Sequence, residues 1–291
     1  MEKAIKKYWP FFVIPTFGAF VIGFIIPFCQ GLYLSFCKFT TVGNAEWVGL
    51  DNYKWIFTKE VTGFAAPGAF KDAFWFTTKF AVVSIILINV LAFALALALT
   101  KGIKGTNIFR TVFFMPNLIG GVVLGYIWKT IINGVLLMIG DDLLKLNPTA
   151  GFWGLVILMV WQQVGYMMII YIAGLQAIPD SLIEAAQIDG AKPLQTLFKI
   201  KLPMVMSSIT ICVFLTLTNS FKLFDQNMAL TNGDPFDKTS MLALNIYKTF
   251  YDRIGRNWKG LGQAKAVVFS LLVIGISLIQ LKLTRSKEVQ Q

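Results

Sequence analysis

Glu184-Ala185-Ala186-Gln187-Ile188-Asp189-Gly190-Ala191, running on to Ile200-Lys201-Leu202-Pro203, is a short polar stretch set between two strongly apolar spans. Just ahead of it, Ser181-Leu182-Ile183-Glu184 has Ser-x-x-Glu spacing. That spacing predicts a helix opening at Ser181, with Glu184 reaching back to the cap amide. Gly190 suits the left-handed position that closes a helix, and Pro193 suits the first turn of a second one. Leu194, Leu197, Phe198 and Lys201 then recur at helical spacing, and Pro203 turns the chain into the next span. Four small residues, Ala185, Ala186, Gly190 and Ala191, occupy a turn where bulk would cost nothing. They would let a partner's surface approach the backbone closely.

Outward from this hairpin the chain is apolar in blocks. Of 291 residues, 56% are hydrophobic and 14% charged, against roughly 25% charged in soluble domains. Six apolar spans fall at 11–37, 76–99, 111–132, 152–175, 205–225 and 264–281. Blocks of about 20 residues match the length a helix needs to cross a bilayer. The sequence therefore predicts an all-α membrane protein of six transmembrane helices in one domain, 1–291, with a cytoplasmic hairpin at 176–204. The first span is too long for a signal peptide and no small-x-small cleavage site closes it; Pro15 and Pro27 should bend or tilt it. Basic residues are denser at the termini, in 101–110 and in 176–204, whereas the other loops are longer and carry most of the 15 acidic residues. Basic density thus places both termini inside. Within the first outer loop, 39–74, the clustered aromatics Trp47, Tyr53, Trp55 and Phe57 suit a helix lying at headgroup level.

Composition also excludes chemistry. The net charge of +11 is scattered over span ends and loops with no basic stripe, so it does not indicate nucleic acid. With no histidine there is no Ser-His triad, His-based acid–base catalysis or His-containing metal site. Cys29, Cys37 and Cys212 lack paired spacing and are read as small apolar fillers. No catalytic or metal-binding residue is assigned. Gly-x-x-x-x-Gly-Lys-Ser/Thr is missing, so any ATP involved binds another polypeptide.

The run Glu-Ala-Ala-x-x-x-Gly, nine residues, then Ile-x-Leu-Pro resembles the EAA signature of ATP-binding-cassette (ABC) importer permeases. Glu184, Ala185, Ala186, Gly190, Ile200, Leu202 and Pro203 meet every fixed position. Trp47-Val48-Gly49-Leu50-Asp51-Asn52-Tyr53 is similar to an outer-loop motif of the carbohydrate-uptake branch, which includes maltose and multiple-sugar permeases, with Trp for Phe. Phe224-Asp225 with Leu230-Thr231-Asn232-Gly233-Asp234-Pro235, and Gly260-Leu261-Gly262-Gln263-Ala264-Lys265-Ala266, resemble two more of its motifs. Asp234 and Lys265 depart from them. The resemblance implies a type I ABC importer permease fold, N-in and C-in, in a bacterial or archaeal inner membrane. It implies that Glu184, Ala185, Ala186, Asp189, Gly190 and Ala191 couple to an ATPase. It further implies a second permease subunit, two copies of a cytoplasmic ATPase that use ATP and magnesium, an extracytoplasmic solute-binding protein and a sugar as cargo.

Polar groups at membrane depth are candidates for the cargo path. Gln162, Gln163 and Tyr166 lie in the fourth span, Thr216, Thr218, Asn219 and Ser220 in the fifth, and Ser84 and Asn89 in the second. Amides, hydroxyls and aromatic faces suit a neutral carbohydrate, and interhelical hydrogen bonding is the competing use. The family places sugar contacts near Tyr166, Thr216 and Ser220; Gln163 and Asn219 adjoin them. Lys222 and Asp225 are read as an interfacial ion pair ahead of an external gate. Gly121-x-x-x-Gly125 indicates close helix packing without naming the partner. Another polar cargo, such as a glycerol phosphate ester, is the alternative; an ion-coupled transporter is more distant, since every carboxylate falls at a span end or in a loop and no inverted repeat is visible.

Overall fold

The computed structural model describes residues 2–58, 69–253 and 255–285. Part of the predicted outer loop, 59–68, and the tail from 286 lie outside the described residues. Twelve helices are used below: α1 (Tyr8–Leu34), α2 (Asp51–Thr58), α3 (Phe70–Leu99), α4 (Thr106–Phe114), α5 (Gly121–Met138), α6 (Pro148–Gln176), α7 (Asp180–Ile188), α8 (Pro193–Met204), α9 (Met206–Phe221), α10 (Asp225–Leu230), α11 (Leu242–Tyr247) and α12 (Arg256–Arg285). Among the described residues five helices are long and apolar enough to cross a membrane, or six when the bent pair α8 and α9 counts as one span. The chain divides into two compact units, one from 1–66 with 246–270 and the other from 67–245 with 271–291.

In the first unit α1 is continuous through Pro10 and Pro15 and carries a π turn at Val21–Ile25. Pro27 explains that turn. A proline ring crowds the carbonyl one turn back, and here the Ile26 amide reaches five residues back to the Val21 carbonyl. The apolar run to residue 37 does not stay helical to its end. Cys37–Lys38 (β1) pairs antiparallel with Glu46–Trp47 (β2), Cys37 opposite Trp47. Asn52 on α2 locks this ribbon by donating from Nδ2 to the carbonyls of Ser35 (2.9 Å) and Cys37 (3.0 Å). Gly260 on α12 meets the same Cys37 carbonyl, which a Cβ would overlap. Two of the motifs thereby become one joint.

The second unit is organised by α6, with 61% of its apolar window buried against 0% for α1. Asn147 caps α6 by accepting from the amides of Thr149 and Ala150, both at 3.0 Å, and Pro148 takes the first turn. Phe80, Ile88, Ala92 and Ala96 of α3 pack with Leu158, Met159, Met167 and Met168 of α6 in one buried cluster. Between lipid-exposed helices apolar burial gains little, so close fit and polar pairs hold the bundle. Tyr171 on α6 donates to Asn89 Oδ1 on α3 (2.7 Å), and Asn89 Nδ2 donates to Thr216 Oγ1 on α9 (3.4 Å).

The third apolar block is not one helix. α4 ends at Phe114, a 3-10 turn covers Met115–Leu118, and α5 starts at Gly121. Pro116 in that turn and the Gly120-Gly121 pair break the run. Non-helical backbone at membrane depth must find its hydrogen bonds inside the protein. Gln162 on α6 supplies one, donating from Nε2 to the Ile119 carbonyl at 3.2 Å. Gly165 on the same helix lets it lie against the Phe113 backbone.

Candidate functional site

Two places are candidates for function, the hairpin and a polar cavity. The hairpin's first arm, α7, does not open as the capping-box spacing predicts. Pro179 is the N-cap in extended conformation (φ −60°, ψ 132°), and the helix begins at Asp180 without a side-chain cap. Ser181 is therefore already helical, and the exposed Glu184 carboxylate accepts no hydrogen bond among the described residues. Proline's fixed φ together with its extended ψ sets the entry one residue earlier, and Asp180 places negative charge in the first turn.

The other end forms as the sequence predicts. Gly190 has φ +74°. Its amide donates to the Gln187 carbonyl (3.0 Å), and the Ala191 amide donates to the Ala186 carbonyl (2.9 Å). These are the paired bonds of a Schellman closure. Ala186 is buried, while Ala185, Asp189 and Gly190 are exposed. Pro193 opens α8, and Gln195 Oε1 accepts from the Lys192 amide at 2.7 Å. Ile188 is 86% exposed, Leu194 68% and Phe198 62%. The hairpin thus presents apolar side chains, an open carboxylate and close-approach backbone together.

From there the chain passes a π turn at Leu197–Lys201, ahead of Pro203, and bends by 69° at Val205 into α9. Val205 itself is hydrogen-bonded on both sides of the corner. The Val205 amide donates to the Lys201 carbonyl and the Ile209 amide to the Val205 carbonyl, both at 3.0 Å.

A cavity of about 270 Å³ lies between α6, the end of α9 and the start of α10. Gln163, Asn219, Lys222, Asp225 and Gln226 line it. Gln163 and Asn219 face each other, Asn219 Nδ2 donating to Gln163 Oε1 at 3.4 Å. Gln226 donates to Gln162 Oε1 at 2.8 Å, so the cavity wall connects to the Ile119 carbonyl at the broken third span. The expected Lys222–Asp225 ion pair is not formed. Lys222 caps α9 and Asp225 starts α10, so the intervening turn removes the helical i,i+3 spacing.

The structure brings Gln163 and Asn219 onto this cavity and leaves three candidates off it. Thr216 and Ser220 are fully buried, their hydroxyls donating back to the carbonyls of Cys212 and Thr216, each at 2.7 Å. Tyr166 is half-buried, its ring 6.4 Å from that of Phe114. The partner of Gly121 and Gly125 is α10: a Cβ on Gly121 would lie 2.8 Å from Asp225 Cβ, and one on Gly125 2.6 Å from Ala229 Cβ. Gln226 was missed, because no sequence pattern links it to Gln162, 64 residues away. Asn227 was missed too. Fully buried, it donates to Thr231 Oγ1 and the Thr239 carbonyl and accepts from the Met241 amide, each at 2.9 Å. The Leu-Thr-Asn-Gly-Asp-Pro motif is wrapped around that amide. Among the described residues no cluster of three or more His, Cys, Asp or Glu could hold a metal.

A family model described as binding-protein-dependent transport system inner membrane component matches residues 88–288. A curated relative, the probable starch degradation products transport system permease protein AmyD of Thermoanaerobacterium thermosulfurigenes, is 40% identical over 291 residues, covering 97% of this chain and 95% of its own. The multiple sugar-binding transport system permease protein MsmF of Streptococcus mutans is 32% identical over 300 residues, covering 99% of each. Among solved structures, one chain of a bacterial ABC transporter involved in import of the acidic polysaccharide alginate superposes with a TM-score of 0.80 at 20% identity, covering 98% of each chain. That last likeness is one of fold.

Proposed function

Because this chain belongs to the family of binding-protein-dependent transport system inner membrane components, we propose that it forms half of the membrane pathway of an ATP-driven importer for sugars or oligosaccharides. It is an inner-membrane transport permease and not itself the enzyme of the system. The observation that carries the coupling half of this proposal is the Schellman-closed helix α7, which exposes Ile188, Glu184 and the Gly190 backbone beside Leu194 and Phe198. A cleft on an ATPase subunit is the partner such a surface suits: the apolar side chains enter it, and the glycine lets the cleft wall close on the backbone. The sugar relatives support the cargo class.

In this reading both termini and the hairpin face the cytoplasm, two ATPase copies bind ATP and magnesium, and a second permease completes the pathway. A solute-binding protein delivers the cargo outside. ATP must bind one arrangement of the whole assembly better than the other, since equal affinity would shift nothing. Gln163 and Asn219 then meet the sugar hydroxyls as donors and acceptors, with Gln226 beside them. Tyr166, Thr216 and Ser220 lie outside the cavity lining and serve the packing of the helices that form it.

The test is reconstitution with the partner permease, ATPase and binding protein in proteoliposomes. ATP-dependent uptake of labelled maltotriose is expected. Accumulation that runs on an ion gradient without ATP would overturn the coupling assignment, and ATP-driven uptake restricted to cargoes other than saccharides would overturn the cargo class.

A further inference from the structure

A second polar cavity lies in the first unit, and none of the residues assigned to coupling or cargo lines it. It holds about 530 Å³ and is lined by Lys38, Asp51, Asn52, Trp55, Asn257 and Trp258, among others. That volume is within the range of small-molecule sites, about 300–1,000 Å³. Its two indoles stand at right angles, 89° between planes and 5.4 Å between centroids. The Arg253 guanidinium lies 3.9 Å over the Trp258 ring and holds that ring in place.

The polar groups are unusually open. Asn52 is only 5% exposed. Its Nδ2 is engaged by the Ser35 and Cys37 carbonyls, yet its Oδ1 accepts no hydrogen bond among the described residues. That oxygen is not among the sealed unpartnered atoms of the described residues, so it reaches solvent and can accept from a ligand hydroxyl. The side chains of Lys38 and Asn257 donate to nothing among the described residues.

We propose that this cavity is a second saccharide site, separate from the translocation cavity. Flat aromatic walls take the C–H faces of a pyranose ring, and amide, carboxylate and ammonium groups take its hydroxyls. A phosphate headgroup fits poorly, because Asp51 lines the cavity and offsets Lys54 at 3.9 Å. The choice of saccharide rests on the cargo class proposed above. With the termini inside, this unit's loop faces the compartment from which cargo arrives, so the site would hold saccharide at the entrance.

The test uses the assembled transporter in nanodiscs, labelled with 5-fluorotryptophan, with the Trp55 and Trp258 resonances assigned through Trp55→Phe and Trp258→Phe. Both resonances are expected to shift saturably with maltotriose, equally in wild type and Gln163→Ala. Trp55→Ala should raise the half-saturation concentration read at Trp258 by about tenfold. Silent resonances at maltotriose concentrations that saturate uptake would overturn the site and leave the cargo reading standing. Shifts seen only when phosphatidylglycerol replaces phosphatidylcholine would overturn it in favour of a lipid site. Saturable shifts in a system that imports no saccharide would uphold the site and overturn the cargo reading.

Discussion

Gly165 of α6 lies against the Phe113 carbonyl at the point where the third span breaks, and a Cβ at that glycine would overlap the carbonyl carbon and oxygen. Backbone cannot yield as a side-chain tip can. Gly165→Ala should therefore cost about 1–3 kcal/mol. Thermal unfolding in detergent checks this, with Gly18→Ala as control, since nothing lies within 4 Å of a Cβ there. Equal melting temperatures for the two variants would contradict the close contact.

Gln162 should matter through the bonds it makes at the break. Gln162→Leu leaves the Ile119 carbonyl without its donor and Gln226 without its acceptor. Destabilisation of about 1–3 kcal/mol is expected. A double-mutant cycle with Gln226→Ala should show coupling between the two residues, whereas strictly additive effects would mean the 2.8 Å contact contributes nothing.

Local chemistry was legible in the sequence where one residue type has one use. Gly190 and Pro193 stop and restart the hairpin because left-handed backbone and a missing amide allow little else. The spans were legible by length and hydropathy alone, yet the break in the third was not. Pro116 and Gly120-Gly121 sit inside an unbroken apolar run, and hydropathy does not register a lost amide or a weak helix former. Ser181 misled because capping spacing says nothing of the proline two residues earlier that already fixes the entry. Thr216 and Gln163 look alike as polar residues within spans. Only packing separates a hydroxyl turned back on its own helix from an amide facing a cavity.

At the hairpin, Gly190→Val forces a β-branched residue into φ +74°, a conformation that costs non-glycine residues roughly 1–2 kcal/mol. Membrane insertion should be unchanged, while maltotriose uptake and co-purification of the ATPase are lost. Normal uptake by this variant would remove the hairpin from coupling.

For the cargo path, Gln163→Ala and Asn219→Ala should each raise the KM for uptake about tenfold, a loss near 1.4 kcal/mol of binding. Tyr166→Ala is expected to lower the melting temperature with KM unchanged, because its ring packs toward Phe114 and off the cavity. A KM effect at Tyr166 with no loss at Gln163 would reverse these assignments.

At the 69° bend the two arms share one residue: the Val205 amide donates to the Lys201 carbonyl and the Val205 carbonyl accepts from the Ile209 amide. No loop intervenes between the hairpin arm and α9, so the two meet at one residue like the arms of a crank. If the hairpin docks as proposed, a sideways push on Leu194 or Phe198 would be delivered as a swing of the helix whose far end, near Asn219, borders the cavity.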